Sequence, residues 1–338
     1  MTVHQQTAEL REVANSFGFN RVFFTKVHGA AGIDAYDSFL SKGHHGKMSW
    51  MVRSRPPRAN PKLLLPSARS IMVLGLDYWH PRPTDPGGAT GMVSRYAWGR
   101  DYHNLIGKRL RRMTKELMRS NGKLKCYFGV DSRPIIERAW AQQSGVGFIG
   151  KNCMIIAPGD SSFFFLAAIL LNVDTVEDFP IVKNHCGRCR RCLDVCPTNA
   201  FIGAQKLDAR KCISYLTIEH PGVIPTQFRE KIGRWFFGCD LCQEVCPHNH
   251  KPSGSLYDDF APRNAWIDLE WILNSEDEVI ADHFIGTPLR RSGPFRLKRN
   301  AAIVLGNLRT GRAALLKTRE RGCDLLREHI DWSLDRIG

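Results

Sequence analysis

The cysteines between residues 186 and 247 decide how this chain is organised. The stretch reads CGRCRRCLDVCP at residues 186–197 and, after an isolated Cys212, CDLCQEVCP at residues 239–247. Eight of the eleven cysteines of the chain lie here. Thiols repeated two or three residues apart are typical of a metal centre, because neighbouring thiolates can then bind one ion or one cluster. We therefore expect the remaining sequence to fold around such a centre.

The first run has the spacing C-x2-C-x2-C-x3-C-P of bacterial ferredoxins, in which three thiolates bind one 4Fe–4S cluster and the fourth binds its partner cluster. In the second run Phe236 stands where the first cysteine would be, and Cys212 is the nearest spare thiol. The spacing therefore predicts two 4Fe–4S clusters. Cluster one takes Cys186, Cys189, Cys192 and Cys246, and cluster two takes Cys196, Cys212, Cys239 and Cys242.

Two other uses of these cysteines explain the pattern less well. Zinc sites also contain C-x2-C pairs, but a zinc ribbon needs neither the extra cysteines nor the two Cys-Pro endings. Disulfides need an oxidising compartment, and residues 1–20 are polar and charged, unlike a secretory signal or a membrane anchor. The longest apolar run, residues 163–171, is too short to span a bilayer. We expect a soluble, cytoplasmic protein.

The charge of the chain indicates a class of partner. Its formal net charge is +15 over 338 residues. Two clusters with four thiolates each leave roughly +11. Such an excess favours a polyanionic partner, and nucleic acid is the commonest one. A basic, solvated surface explains the charge about as well.

The hydrophobic pattern divides the chain into three regions. Strands and helices alternate as far as residue 175, which is typical of an α/β domain. Beyond residue 252 the pattern becomes helical and resembles one degenerate HEAT-like repeat. We therefore predict an α/β domain at 1–175, a ferredoxin-like double 4Fe–4S domain at 176–255 and a short α-helical tail at 256–338.

Two glycine-containing segments are predicted to be loops. Residues 29–46 are loop-rich. The second segment contains Gly145-x-Gly147-x-x-Gly150, but it follows a helix and precedes a strand, whereas the dinucleotide-binding fingerprint requires the reverse order. A dinucleotide site is therefore not expected, although glycines would let the backbone approach a ligand closely.

Several motifs, in this order, resemble the epoxyqueuosine reductase family. They are RANPKLLLP at 58–66, YAWGRDYH at 96–103, the pair Val130-Asp131, the segment 145–155, the cysteine pattern and RNAA at 299–302. The resemblance covers nearly the whole chain. It implies a cobalamin-dependent iron–sulfur enzyme that reduces the epoxide of epoxyqueuosine at the wobble position of tRNA. It also implies a nitroreductase-like cobalamin domain related to that of reductive dehalogenases.

The resemblance implies that Asp131 is the catalytic acid, which protonates the oxygen lost from the epoxide. An acid must hold its proton near neutral pH, so we expect Asp131 to lie in an apolar pocket that raises its pKa. The alternative interpretation is an ordinary N-cap, because Asp131 precedes a predicted helix.

The same resemblance implies cobalamin contacts at Arg58, Ser94, Asp131, Lys151, Asn152 and Ile155. Surface charge explains Arg58 and Lys151 equally well, and a buried strand explains Ile155. The family binds cobalamin without a histidine on cobalt, so none of the twelve histidines is needed as a ligand. His103 and His220 are expected to make local hydrogen bonds.

The implied RNA partner is a tRNA anticodon stem-loop, whose unpaired wobble base can be turned out into the site. Phosphate contacts are predicted for a basic cluster beside the helical tail. The implied electron donor is a low-potential ferredoxin or flavodoxin, and we expect a monomer. The predicted tRNA-binding residues are Arg290, Arg291, Arg296, Lys298 and Arg299.

Two rival functions use the same sequence features. A reductive dehalogenase would share the cofactors but act on a small organohalide, and the basic charge and missing export signal count against it. A ferredoxin-like electron carrier would have no substrate site, and it would not need 175 residues before its clusters.

Overall fold

A computed structural model describes residues 2–29, 31–177 and 179–338. Fifteen α-helices are present in this described part of the chain. They are α1 Val3–Ser16, α2 Ile33–Ser41, α3 Ser49–Arg53, α4 Arg55–Ala59, α5 Tyr102–Ser120, α6 Glu137–Gln143, α7 Arg191–Asp194, α8 Ile213–Ile218, α9 Thr226–Arg229, α10 Leu241–Glu244, α11 Leu269–Asn274, α12 Asp277–His283, α13 Gly293–Leu308, α14 Arg312–Arg321 and α15 Asp324–Ile337.

The strands form two larger sheets and two short hairpins. The four-stranded sheet has the order β1-β2-β7-β4 with antiparallel neighbours, and the three-stranded sheet has the order β10-β3-β11. β5 pairs with β6, and β8 pairs with β9. The strands are β1 Arg21–Lys26, β2 Ser70–Asp77, β3 Thr90–Val93, β4 Cys126–Gly129, β5 Phe148–Ile149, β6 Ile155–Ile156, β7 Phe164–Leu171, β8 Phe201–Gly203, β9 Lys206–Leu207, β10 Trp235–Phe237 and β11 Trp266–Asp268.

The four-stranded sheet is covered by helices on both faces. Side chains alternate between the faces of a strand, so β2 contributes to two cores. Met72 and Leu74 pack in the core that α1 and α5 cover, whereas Ile71 and Val73 pack in the core of α6. The first region is therefore a mixed helix-and-sheet domain, as expected, but with an antiparallel sheet.

The smaller sheet joins regions that are far apart in sequence. β3 pairs in parallel with β10 and antiparallel with β11. This sheet thus contains one strand from each of the three predicted domains. The domain boundaries at 175 and 255 remain a proposal. Phe236, which replaces the expected cysteine, lies in β10 and is fully buried.

The C-terminal region is a small helical layer around α13. This helix packs mainly against α15 and α11. At Gly306 an added Cβ would lie 2.7 Å from the Ser333 hydroxyl, so only glycine permits this close crossing. Within the described residues, no helix is long and apolar enough to cross a membrane.

One predicted loop is wrong. Residues 33–41, inside the loop-rich segment 29–46, form α2. Glycines at both ends, Gly32 and Gly43, have φ of 71° and 66° and suggested a loop, but the residues between them have helical spacing. Tyr36, the buried residue of α2, donates a hydrogen bond to the Met51 carbonyl.

Candidate active site and iron–sulfur cradles

The first cysteine set lines one cavity of about 120 Å³. Burial, together with the adjacent Cys186, Cys246 and Cys189 sulfurs, raises the pKa of the Cys192 thiol to about 11. Lys151 holds the loop that carries these thiols. Its backbone N–H points at the Cys186 Sγ at 3.4 Å, and its Nζ donates to the Gly187 and Cys189 carbonyls. The structure thus brings Cys186, Cys189, Cys192 and Cys246 together.

The second cysteine set lies deeper in the protein. Burial raises the pKa of Cys242 well above its usual value, with Cys212, Cys239 and Cys192 as charged neighbours. Cys239 and Cys212 in turn both have Cys196 as a neighbour. The structure therefore brings Cys196, Cys212, Cys239 and Cys242 together, and Cys192 links the two sets.

Three cysteines lie outside these sets or at their edge: Cys126, Cys153 and Cys323. Cys153 is near Cys212, with a φ of 65°. Among the described residues, no three His, Cys, Asp or Glu side chains are close enough to bind a single metal ion.

Asp131 lies in the loop between β4 and α6 and has a left-handed φ of 47°. Aspartate adopts this region more readily than most residues. It is not an N-cap, because α6 starts six residues later and Ile136 occupies the cap position. Arg58 holds this loop, since its guanidinium donates to the Ile135 carbonyl at 2.6 Å. The loop therefore presents the Asp131 side chain in one direction.

Two residues at the start of α5 bind the Asp131 carboxylate. The Tyr102 hydroxyl donates to Oδ2 at 2.7 Å, and the His103 Nε2 lies 2.9 Å from the same oxygen. The other ring nitrogen of His103 lies 2.8 Å from the Asp101 carboxylate. Because both ring nitrogens face a carboxylate, the imidazolium form satisfies both contacts.

These contacts reverse the expected pKa of Asp131. Its side chain is 53% exposed, yet enough protein surrounds it that burial raises the pKa. The His103 and Tyr102 hydrogen bonds and the His103 charge outweigh this and lower it to about 2. Burial lowers the pKa of His103, but its two carboxylate partners raise it to about 9. The prediction of a raised Asp131 pKa is therefore wrong, and the proton near neutral pH resides on His103.

A second carboxyl group lies near Asp131. Burial, together with the Asp131 charge, raises the pKa of Glu137 to about 8. Its Oε1 is buried and has no hydrogen-bond partner. Sequence analysis missed Glu137, although its position six residues after Asp131 at the start of a helix was a signal. Glu137 is the protonated carboxylic acid that was expected at Asp131.

The predicted cobalamin contacts lie in different places. Ser94 is buried beside the turn before Cys239, because a Cβ on Gly238 would meet its Oγ at 2.2 Å. The Asn152 amide donates to the Cys242 carbonyl at 3.2 Å, and Ile155 is buried in β6. Arg58 and Lys151 are already bonded to the Asp131 loop and to the cluster-one loop. The structure thus brings Ser94, Lys151 and Asn152 to the cysteine sets, and Arg58 to Asp131.

The residues predicted to bind tRNA differ in whether their charges are already bonded within the protein. Arg299 is fully buried and donates to the His220, Gly222 and Leu216 carbonyls, so its prediction as a phosphate contact is wrong. Lys298 pairs with Asp277 at 2.6 Å. The register of α13 explains the burial of Arg299, because every third or fourth residue of the helix faces the core.

The remaining arginines lie closer to the surface. Arg290 is exposed and has no partner among the described residues. Arg291 pairs with Glu219 at 2.8 Å and also lowers the pKa of Asp131, so it lies between the tail and the acid site. Arg296 is half-buried and donates to the Ser292 and Arg291 carbonyls.

A line of aromatic rings joins the inner cysteine set to Asp131. Phe237, two residues before Cys239, lies 6.4 Å from the Tyr96 ring, and Tyr96 lies 6.1 Å from Tyr102. Tyr102 then bonds Asp131. Two sets of four cysteines, joined by aromatic rings to a site that holds a proton, are the arrangement expected of an iron–sulfur oxidoreductase.

Comparisons with known proteins narrow this class. Residues 185–249 match the family model of a 4Fe-4S double cluster binding domain, and residues 58–132 match the model "Epoxyqueuosine reductase QueG, DUF1730". The epoxyqueuosine reductase of Xanthomonas campestris pv. campestris is 37% identical and covers 98% of this chain and 96% of its own length. That of Pseudomonas aeruginosa is 39% identical, with 97% and 94% covered.

Solved structures of epoxyqueuosine reductases also resemble this chain. An epoxyqueuosine reductase with a tRNA-Tyr epoxyqueuosine-modified stem loop superposes with a TM-score of 0.90 at 30% identity, covering 100% of this chain and 91% of that one. The Bacillus subtilis enzyme, with its catalytic aspartate loop swung out of the active site, gives 0.89 at 30% identity and the same coverage. The chain belongs to the epoxyqueuosine reductase family. It is an oxidoreductase with a double 4Fe–4S domain.

Proposed function

We propose that this chain reduces the epoxide of epoxyqueuosine at the wobble position of tRNA and thereby forms queuosine. The observation that carries this proposal is the Asp131 carboxylate, held by Tyr102 and His103 at the end of the contacts from the inner cysteine set. The solved relative with a modified stem loop supports the choice of substrate.

The reaction needs two electrons and two protons for each epoxide. The two carbon–oxygen bonds of the ring break, a carbon–carbon double bond forms, and the oxygen leaves as water. Near neutral pH the Asp131–His103 pair holds one proton and Glu137 holds another. Asp131 bonds to both Tyr102 and His103, so it can pass the proton of His103 to the departing oxygen and return to its ionised form.

Two 4Fe–4S clusters supply the electrons one at a time. We assign cluster one to Cys186, Cys189, Cys192 and Cys246, and cluster two to Cys196, Cys212, Cys239 and Cys242. The grouping of the thiols by mutual proximity supports this assignment. Cluster two is the inner one, because Cys239 adjoins the aromatic line to Asp131.

We propose that cobalamin binds beside Asp131. Both nitrogens of His103 already bond carboxylates, so the site offers no free imidazole to cobalt, in keeping with a family that binds cobalamin without one. The unpartnered Glu137 Oε1 can donate to one of the amides around a corrin. Reduced cobalamin would supply a strong reductant next to the Asp131 proton.

The residues assigned to this cofactor would act in two ways. Ser94 and Asn152 lie beside the cluster-two cysteines and Ile155 is buried in β6, and we propose that these three segments contact the macrocycle. Arg58 and Lys151 would act by holding the Asp131 loop and the cluster-one loop. Asp131 itself would hold a proton beside the bound cofactor.

The tRNA partner is an anticodon stem-loop with its wobble base turned out toward Asp131. Arg290 and Arg291, with Arg296 behind them, are proposed to contact its phosphates. Arg291 is best placed, because it lies near both Asp131 and the surface. We also propose that the protein works as a cytoplasmic monomer that receives electrons from a low-potential ferredoxin or flavodoxin.

The test is anaerobic incubation of the protein with cobalamin, a low-potential reductant and a stem-loop containing epoxyqueuosine. Mass analysis of the nucleosides should reveal queuosine in amounts that exceed the enzyme. A parallel reaction with a halogenated phenol tests the dehalogenase alternative and should release no halide. Halide release without queuosine would reject the proposal.

A further inference from the structure

Cluster one lies at a surface where three basic side chains form no ion pair among the described residues. The residues that flank its cysteines are exposed, including His185, Gly187, Arg188 and Arg191. In contrast, Phe237, Gly238 and Asp240, which flank Cys239 of cluster two, are buried. An electron from outside therefore reaches cluster one first.

The segment that carries three of the cluster-one cysteines is basic. Residues 179–192 contain Lys183, Arg188, Arg190 and Arg191 and no acidic residue. Arg190 pairs with the exposed Asp194 at 3.4 Å. Lys183, Arg188 and Arg191 form no ion pair within the part of the chain that the structure describes. We call these four basic residues the collar.

Several contacts fix the collar relative to the cluster-one thiols. Arg191 and His185 line the same cavity as the four sulfurs. Lys151 ties the collar loop to the β8–β9 hairpin, because its carbonyl accepts from the Gln205 backbone N–H at 3.0 Å. Ile181, two residues before Lys183, is 60% exposed, and Ile202 on the hairpin is 48% exposed. Free positive charge thus surrounds the outer cluster, with apolar side chains beside it.

We propose that the collar is the docking surface for a small acidic protein that carries single electrons at low potential. This rests on the proposed function, which requires two electrons for each epoxide. The carrier docks with carboxylates against the collar, loses one electron and reduces cluster one by one electron. A ferredoxin and a flavodoxin share this chemistry, with acidic side chains around an exposed redox group.

RNA is the other polyanion that a basic surface could bind. The collar lies on the cluster-one side of the protein, whereas Arg291 lies near Asp131, where a wobble base must enter. Phosphates at the collar would not bring a base to the acid site. A redox protein there would bring its electron directly to the outermost cluster.

The experiment measures reduction of the clusters, which needs neither tRNA nor cobalamin. A pre-reduced acidic 2Fe–2S ferredoxin is mixed with excess oxidised protein, and the loss of 4Fe–4S absorbance in the visible is followed. A second series uses flavodoxin hydroquinone. For the double variant Arg188→Glu/Arg191→Glu we expect a second-order rate constant about 10–100-fold lower at low ionic strength, with the difference shrinking as salt is added.

The matched control is Arg112→Glu/Lys115→Glu on the exposed side of α5, with the same change in charge on the far side of the four-stranded sheet. Its rate should stay within about twofold of the original. Dithionite, a small reductant, should reduce all variants equally, which shows that the clusters are intact. Lys183 lies outside the cysteine run, and Lys183→Glu should reduce the rate constant less than the double variant does. It replaces the double variant in the test if the double variant loses iron.

Two results would overturn the proposal. The first is a rate with both carriers that does not change in the Arg188→Glu/Arg191→Glu or Lys183→Glu variants. The second is a collar variant that loses stem-loop affinity while its carrier-driven reduction stays the same, which would identify an RNA surface. If only the turnover assay fails, the proposed substrate is rejected. The measured reduction of the clusters by the carrier would still support the collar as its docking surface.

Discussion

The Asp131 site and the collar are both rich in charge, but they use charge in opposite ways. At the Asp131 site, each charge has a partner: Asp131 with His103, His103 with Asp101, and Arg291 with Glu219. In the collar, Lys183, Arg188 and Arg191 have none among the described residues. Paired charges hold a fixed geometry for chemistry, whereas unpaired exposed charges are available to a partner.

Replacing Asp131 should have the largest effect, since it breaks the paired site at the reacting group. We expect Asp131→Asn to lower kcat about 10²–10⁴-fold, because asparagine cannot pass a proton to the departing oxygen. Ser132→Ala, a change at the next and exposed residue, should keep most activity. Steady-state queuosine formation measures both variants. Full activity in Asp131→Asn would remove the paired site from the mechanism.

Arg299 and Arg290 sharpen the same comparison within one basic cluster. Arg299→Ala should destabilise the protein by about 3 kcal/mol, because three buried carbonyls lose their donor. Arg290→Ala should leave stability unchanged, but it should lower the salt dependence of stem-loop binding by about one phosphate contact. Urea denaturation and binding at several salt concentrations distinguish the two. Equal stabilities would mean that the buried contacts of Arg299 contribute little.

His103 sets the pH dependence of the paired site. Its pKa is raised from 6.5 to about 9, so the folded protein keeps the proton of the pair through neutral pH and loses it as pH rises through about 9. Asp131, at about 2, stays ionised over the whole range of assay pH. The pH profile of kcat should therefore fall on the alkaline side near pH 9.

The variant His103→Gln should be about 10–100-fold slower and should lack this alkaline fall, because glutamine does not titrate. The exposed His4 of α1 provides the control, and His4→Gln should keep both the rate and the profile. An unchanged alkaline fall in His103→Gln would assign the titration to another group.

Replacing Glu137 should have the smallest effect, and this effect should be on the pH dependence of stability. Its pKa is raised from 4.5 to about 8, so the folded state holds a proton that the unfolded state has lost. Stability should therefore fall as pH rises from 4.5 to 8, and Glu137→Gln should abolish that part of the slope. Urea denaturation at pH 5 and pH 8 measures it. The exposed Glu116 is the control, and Glu116→Gln with the same loss of slope would contradict the account.

The cysteine sets could be predicted because their spacing is local and the cluster geometry demands it. The Asp131 loop could be located by resemblance, but its pKa could not be predicted. That pKa depends on His103 and Tyr102, which lie 28 and 29 residues earlier and meet Asp131 only when α5 packs beside β4.

The basic cluster at 290–299 was predicted as one surface because charge density carries no information about which way each residue faces. The register of α13 buries Arg299 completely, and Asp277 of α12 pairs with Lys298. The collar was not predicted for the same reason. Its arginines lie between the cysteines, and the spacing of the cysteines does not indicate which of these charges remain unpaired in the fold.

The most direct test of the central claim links the two regions in one measurement. Both clusters are reduced in protein containing cobalamin, the excess reductant is removed, and the stem-loop with epoxyqueuosine is added. We predict that 4Fe–4S absorbance recovers as queuosine forms, with two electrons lost for each epoxide, and that Asp131→Asn stays reduced. Clusters that remain reduced in the unaltered protein, or that reoxidise equally in both proteins, would contradict the account.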